Sequence, residues 1–234
     1  MHERSRAVID AGALARIPLF EGIPRSEITR LLGHLHEKSF PAGTNILIAE
    51  QPGEAVYVIV TGSVKVHAVR PDGTEVVLAV LGAGEVLGEM SAADSLGRSA
   101  SVVTLEETDL LWMDRRTFRA SVDSSTILAR NLGEVLSKRV RLANARLISL
   151  ASLDVPGRVA SELLSLAREY GQVTPEGVRI PMRLTQANLA ALVGASRVRV
   201  NQALGQFRKR DLISIGKDGR VILRDEETLA RRAR

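Results

Sequence analysis

Apolar positions along this chain recur with three different spacings, and the changes of spacing divide it. Over residues 10–35, Leu14, Ile17, Phe20, Ile28, Leu31 and Leu32 recur at helical intervals, with Pro24 near a helix start. From about His36 to Asp114 the texture becomes short alternating runs (NILIA, AVYVIV, SVKVHAV, EVVLAVL, ASVVTL, DLLWMD). Glycines at 43, 53, 62, 73, 84 and 88 punctuate them. Even spacing with turn signals predicts a small antiparallel barrel or roll. Pro71-Asp72-Gly73 is a turn with a mechanism, because glycine tolerates positive φ there.

Residues 123–153 hold no proline and one glycine, and they read as a single long helix. Ala129, Gly133, Leu136, Val140, Ala143, Leu147 and Leu150 alternate four- and three-residue steps, the pattern of a coiled-coil seam. A second stripe of Leu128, Leu132, Val135 and Leu142 is expected to pack on the roll. A helix with two apolar faces, about 45 Å long, outreaches a small roll, so its seam is assigned to a second copy of the chain. Burial inside one domain is the alternative. Asp154-Val155-Pro156 breaks the pattern, and a new helix starts there with Asp154 as its cap. The expected division is residues 1–122 as the roll domain, 123–153 as a dimerisation helix and 154–234 as a C-terminal domain, an α+β chain.

Within the C-terminal part, residues 184–210 predict two short helices around a tight turn. Thr185 caps the first, Gly194 ends it and Ser196 caps the second. Val200, Ala203, Leu204 and Phe207 form the apolar face of the second helix. Its other face presents Arg197, Val198, Asn201, Gln202, Arg208 and Lys209, with Arg199 and Gln206 at the flank and no acidic residue. An ordinary solvated face would mix Glu and Asp with Lys and Arg, whereas Arg, Asn and Gln read base edges in a major groove. The LISIGKDGRVIL segment adds a two-stranded wing around Gly216–Gly219. The expected module is a winged helix-turn-helix on double-stranded DNA. Arg197 is the candidate for guanine O6 and N7. Thr185, Gln186, Ser196, Arg199 and Lys217 are placed for phosphates.

Charge agrees with that assignment. From Leu153 onward there are 15 Lys+Arg and 9 Asp+Glu, a net of +6, and the first 152 residues carry 17 and 18. A basic C-terminal third on a near-neutral body suits a polyanion. With 45% hydrophobic residues the chain is globular. It has no cysteine, which excludes disulfides, thiolate zinc sites, cysteine-ligated clusters and a cysteine nucleophile. No metal motif or activated serine points to an enzyme. His67, His34 and His36 are isolated histidines, read as structural and not as haem ligands. The N-terminal MHERSRAVIDAG lacks a signal-type apolar stretch, and no run approaches the length of a membrane span. A cytoplasmic location is expected of a DNA-reading chain.

With these elements in order, the sequence resembles the cAMP receptor protein/FNR (Crp/Fnr) family of bacterial transcription regulators from about Ala11 to Arg234. The GEMSAADSLGRSAS cassette at 88–101 carries the likeness in the roll. DVPGRVASELLSLA, LVGASR and the ending LARRAR look closest to actinobacterial cAMP receptor proteins. The resemblance implies a homodimer, RNA polymerase as a further partner, no obligatory cofactor, and cAMP or a related cyclic nucleotide as effector. Chemically the cassette suits a cyclic phosphodiester: Arg98 offers a planar fork of donors to one negative charge, and Ser99 a hydroxyl. Backbone N–H groups at Gly88, Glu89 and Met90, with Ser91 beside them, are expected to line the ribose-phosphate. By resemblance Glu89 accepts from the ribose 2′-hydroxyl.

Two departures redirect the expectation. Where cAMP-responsive members place a hydroxyl residue on the long helix, this chain has Ala143, leaving Asn144 as the candidate donor to a purine. Where the family usually has Glu after the reading arginine, this chain has Val198, followed by Asn201 and Gln202, so its half-site should differ from the commonest operator. The alternative is a regulator of the same fold that uses another ligand or needs none.

Overall fold

The computed structural model describes residues 9–94 and 96–233. Most of the N-terminal stretch read for a signal sequence, and the final Arg234, lie outside them. Residues 10–35 form three short pieces in place of continuous helix: Ala11–Leu14 (α1), a 3-10 turn at Pro18–Phe20, and Arg25–Leu32 (α2). Pro18, Gly22 at φ +73° and Pro24 interrupt the hydrogen-bond ladder.

Eight strands follow: His36–Phe40 (β1), Asn45–Leu47 (β2), Ala55–Thr61 (β3), Ser63–Val69 (β4), Glu75–Gly82 (β5), Val86–Leu87 (β6), Ser101–Thr104 (β7) and Thr108–Asp114 (β8). They make two antiparallel four-stranded sheets, β1-β8-β3-β6 and β2-β7-β4-β5. Phe40, Leu47, Ile59, Val64, Leu87, Val102 and Leu110 fill the space between them. A short helix, Glu89–Asp94 (α3), lies between β6 and β7. At the β4–β5 turn, Asp72 accepts from the Thr74 amide at 2.9 Å and Gly73 sits at φ +81°.

Arg115–Ser124 (α4) leads to Thr126–Ser152 (α5), the long helix, with Ser125 as its cap. Leu128 and Leu132 of α5 are buried against the N-terminal pieces and the β1-β8-β3-β6 sheet. Asn131 lies between them, fully buried, and its amide donates to the carbonyls of Leu19 at 3.1 Å and Glu21 at 2.8 Å. One side chain thereby ties the 3-10 turn to the helix.

The C-terminal part comprises Val155–Tyr170 (α6), Gln172–Thr174 (β9), Gly177–Arg179 (β10), Gln186–Leu192 (α7), Arg197–Lys209 (α8), Ile213–Ile215 (β11), Val221–Leu223 (β12) and Glu226–Arg232 (α9). Asp154 caps α6 from the Gly157 amide at 2.8 Å, with Pro156 in the first turn. The β11–β12 wing belongs to a four-stranded sheet, β11-β12-β10-β9. The β9–β10 hairpin and α9 give no periodic signal in the sequence, because three- and seven-residue elements are too short for one.

The outermost roll strand serves two cores. Val77 and Val80 of β5 are buried with α6, α7 and α8 residues, whereas Leu81 packs inside the roll. Positions three apart face opposite ways on a regular strand. Here a bulge intervenes: Val66 opposes Ala79 and His67 opposes Val77, leaving Leu78 as the extra residue. The freed Leu78 carbonyl accepts from the Arg146 guanidinium of α5 at 2.9 Å.

Replacing Asn131 by Ala leaves two carbonyls without their buried donor. The expected loss is about 1–3 kcal/mol, read in a thermal melt as a fall on the order of 5 °C.

Candidate functional site

The cassette residues Gly88, Glu89, Met90, Ser91, Arg98 and Ser99 converge on one small cavity, completed by Leu47, Val66, Leu81, Leu87, Ala100, Val102 and Arg139. Gly88 is at φ +79°, and a Cβ there would run into the Arg98 guanidinium and the Ala55 carbonyl. Arg98 is only 7% exposed, yet its acceptors are neutral: the Ala55 carbonyl at 2.6 Å, the Gly88 carbonyl at 3.1 Å and Ser91 Oγ at 3.4 Å. Burial holds the Arg98 pKa below its ordinary value, with the Tyr57 hydroxyl and the Glu89 carboxylate opposing the shift. An arginine remains charged in any such setting, so a buried cation without a bonded carboxylate favours an anion beside it. Ser99 is exposed at the rim, its hydroxyl 3.8 Å from the Met90 sulfur.

Glu89 is 2% exposed and is held by a residue that the sequence reading did not single out. Arg139 of α5 forks across the segment around β6, one nitrogen donating to Glu89, the other to the Val86 carbonyl and, at 3.2 Å, to Glu85. Burial disfavours the Arg139 charge, but the Glu89 and Glu85 carboxylates outweigh it and its pKa is raised. A signal for Arg139 existed. The roll-facing stripe 128, 132, 135 continues at 139, 142 and 146 in the same four-three rhythm, so two arginines occupy positions that otherwise read apolar. Arg146 finds a buried bidentate partner in Glu162 of α6, at 2.8 and 3.0 Å. Asn144 is exposed in the single chain and outside the cavity lining. Five residues carry it about 140° around α5 from Arg139.

The cavity measures about 80 Å³, well short of the roughly 300 Å³ of a small-molecule pocket. A nucleotide needs Arg139 or the Met90–Ser99 rim to give way. His67 lies outside it, 3.2 Å from Glu75 across the β4–β5 hairpin, and His36 packs on Trp112.

In the C-terminal module, Thr185 accepts from the Asn188 amide at 3.1 Å and Ser196 from the Arg199 amide at 3.4 Å, so both cap helices. Arg158 of α6 donates to the Val193 and Gly194 carbonyls, pinning the turn between α7 and α8. Val200, Ala203, Leu204 and Phe207 are buried, while Arg197, Val198, Arg199, Asn201 and Gln202 are exposed. Gln186 at the start of α7 donates to Asn201 Oδ1 at 3.1 Å. Lys217 is exposed in the wing turn. Two terminal arginines are engaged locally, Arg231 with Glu227 and Arg232 with Asp154.

Comparison with known proteins places both regions. Residues 37–125 match the cyclic nucleotide-binding domain, and residues 157–232 match the Crp-like helix-turn-helix domain. The chain is 39% identical over 222 residues to a CRP-like cAMP-activated global transcriptional regulator of Mycobacterium tuberculosis, covering 94% of this chain and 98% of that protein. Among solved structures, FixK2 from Bradyrhizobium japonicum superposes with a TM-score of 0.75 at 20% identity, over 84% of this chain and 96% of that one. The c-di-GMP-responsive regulator CLP of Xanthomonas campestris superposes with a TM-score of 0.68 at 27% identity, over 86% and 99%.

Gly88→Ala should be destabilising by at least about 1 kcal/mol, from the positive φ alone, with displacement of Arg98 adding to it. Urea denaturation of the variant measures this, and an unchanged midpoint would contradict the packing of Arg98 on Gly88.

Proposed function

This chain belongs to the Crp/Fnr family of transcription regulators, and from that premise we propose a homodimeric, sequence-specific DNA-binding regulator controlled by a cyclic nucleotide such as cAMP. The carrying observation is the buried Arg98 with neutral acceptors beside the equally buried Glu89. A cyclic phosphodiester supplies the missing anion, and its ribose hydroxyl supplies a donor to Glu89. The apolar walls, Leu47, Val66, Leu81 and Val102, suit a base. The cAMP-activated relative supports this choice of effector.

Dimerisation is supported by the α5 seam. Val140 is 59% and Leu147 67% exposed in a single chain, with Leu150 and Ile148 also exposed. Gly133 costs a helix interior about 1 kcal/mol, and beyond its neighbours and the backbone of its own helix turns nothing lies within 4 Å of where a Cβ would sit. Close approach of a second α5 rationalises both features. Two α8 helices about 34 Å apart would then read successive major grooves, with RNA polymerase as the downstream partner in the cytoplasm. Effector binding shifts a pre-existing equilibrium between orientations of the two DNA modules.

A second reading, a regulator of this fold that needs no effector or takes another ligand, is favoured by the small cavity, by the Arg139–Glu89 pair within it and by Ala143. Calorimetric titration with cAMP, cGMP and cyclic dinucleotides separates the two. Uptake of cAMP supports the first reading, and its absence supports the second.

Arg98→Ala should abolish a cAMP-induced rise in melting temperature; a rise equal to that of the parent would place the ligand elsewhere. Arg197→Ala should cost about 1–3 kcal/mol and flatten discrimination among operator variants. Lys217→Ala should weaken all duplexes alike and reduce the salt slope by about one. Binding of a randomised operator panel at two salt concentrations distinguishes these effects.

A further inference from the structure

One carboxylate outside the cavity is bonded to Arg139, a residue that lines it. Glu85 precedes β6 as Glu89 follows it, and the Arg139 guanidinium bridges the two. The side chain of Glu85 is largely buried, and Arg139 is not its only partner. Lys138, the next residue of α5, reaches Glu85 at 3.4 Å and also pairs with Glu169 of α6. At the end of α6, burial and then the nearby Glu85 and Glu169 carboxylates push the Tyr170 pKa up. The Tyr170 ring also packs against Gly82: a Cβ there would come within 3.2 Å of it, and within 2.6 Å of Met182. Tyr170 and Met182 belong to the C-terminal part, and α6 shares its core with the reading helix through Val159, Leu163, Val200, Leu204 and Phe207.

We propose that Glu85 is a positioning residue that couples occupancy of the roll cavity to the placement of the DNA module, through its competing partners Arg139 on one side and Lys138 and Tyr170 on the other. The inference rests on the cyclic-nucleotide reading of the cavity.

The physical reason is a count of donors against acceptors. In this structure Arg139 divides its donors between two carboxylates. A ribose hydroxyl arriving at Glu89 takes acceptor positions that Arg139 now uses, and the guanidinium, still buried, must recover them. Glu85 is the other carboxylate within its reach. Each donor that Arg139 gives to Glu85 competes with Lys138, whose other partner is Glu169 of α6, and with Tyr170 beside it. The switch therefore needs no movement at the reading helix to begin with. It needs only a redistribution of hydrogen bonds around one largely buried carboxylate.

Linkage supplies the test, because an effector that raises DNA affinity by some factor must have its own affinity raised by DNA by the same factor. The full-length chain is titrated with cAMP by calorimetry, with and without operator duplex, as wild type, Glu85→Gln and Tyr170→Phe. Wild type should show a coupling factor on the order of 5- to 150-fold. Tyr170→Phe retains the cavity lining, so its cAMP affinity without DNA should stay within about twofold of wild type while its coupling factor falls below about two. Glu85→Gln should lose coupling as well, and the double variant should lose no more than either single one, as members of one network do. A mere loss of stability moves the melting temperature and leaves this factor alone. Retention of wild-type coupling in Tyr170→Phe and Glu85→Gln would overturn the role of Glu85 and leave the cavity assignment standing. A wild-type chain that takes up no cAMP overturns both, and the first titration reveals it.

Discussion

The long helix carries two guanidinium groups, those of Arg139 and Arg146, into its packed face, and each is met there by carboxylates. Arg139 is met by Glu89 and Glu85 of the roll, and Arg146 by Glu162 of α6. Leaving either charge buried without its partner would cost about 3–5 kcal/mol, a large share of the 5–15 kcal/mol by which a domain is stable. Apolar burial alone lets a helix slide or rotate at modest cost. Paired charges do not. The rotation and axial position of α5 on the roll, and of α6 on α5, are therefore set by where those carboxylates lie.

The same constraint explains why a binding cavity and an interdomain contact occur together. Glu85 and Glu89 are separated by β6 and its flanking glycine, a stretch too short to flex independently. Whatever changes the hydrogen bonding of one reaches the other through the shared guanidinium. The β5 strand adds a second tie. Its bulge at Leu78 sends Val77 and Val80 outward into the C-terminal core and offers a free carbonyl to Arg146. The roll, the long helix and the DNA module thus meet along one edge of the roll.

Much of this was legible as pattern. Period-two runs and glycine turns announce the roll, the four-three rhythm announces α5, and cap residues at Asp154, Thr185 and Ser196 mark helix starts that the structure places where expected. The cassette residues that line the cavity were legible because they are compact in sequence, all between Gly88 and Ala100. The direction Asn144 faces was not legible, because a helix turns 100° per residue and its rotation depends on what it packs against. Arg139 was passed over because a long charged side chain within an apolar stripe reads as surface until its partners are known.

By itself, then, the sequence determined the local elements, the chemistry of the cassette, the cationic reading face and the existence of two stripes on the long helix. These rest on periodicity, capping and residue type, which act over a few positions. Only the tertiary structure decided which stripe residues meet the pocket, that β5 is divided between two cores, and that Arg139 is shared by Glu85 and Glu89. Those depend on partners far apart in the chain, such as Glu89 and Arg139 or Gly82 and Met182, brought together by packing that no local pattern encodes.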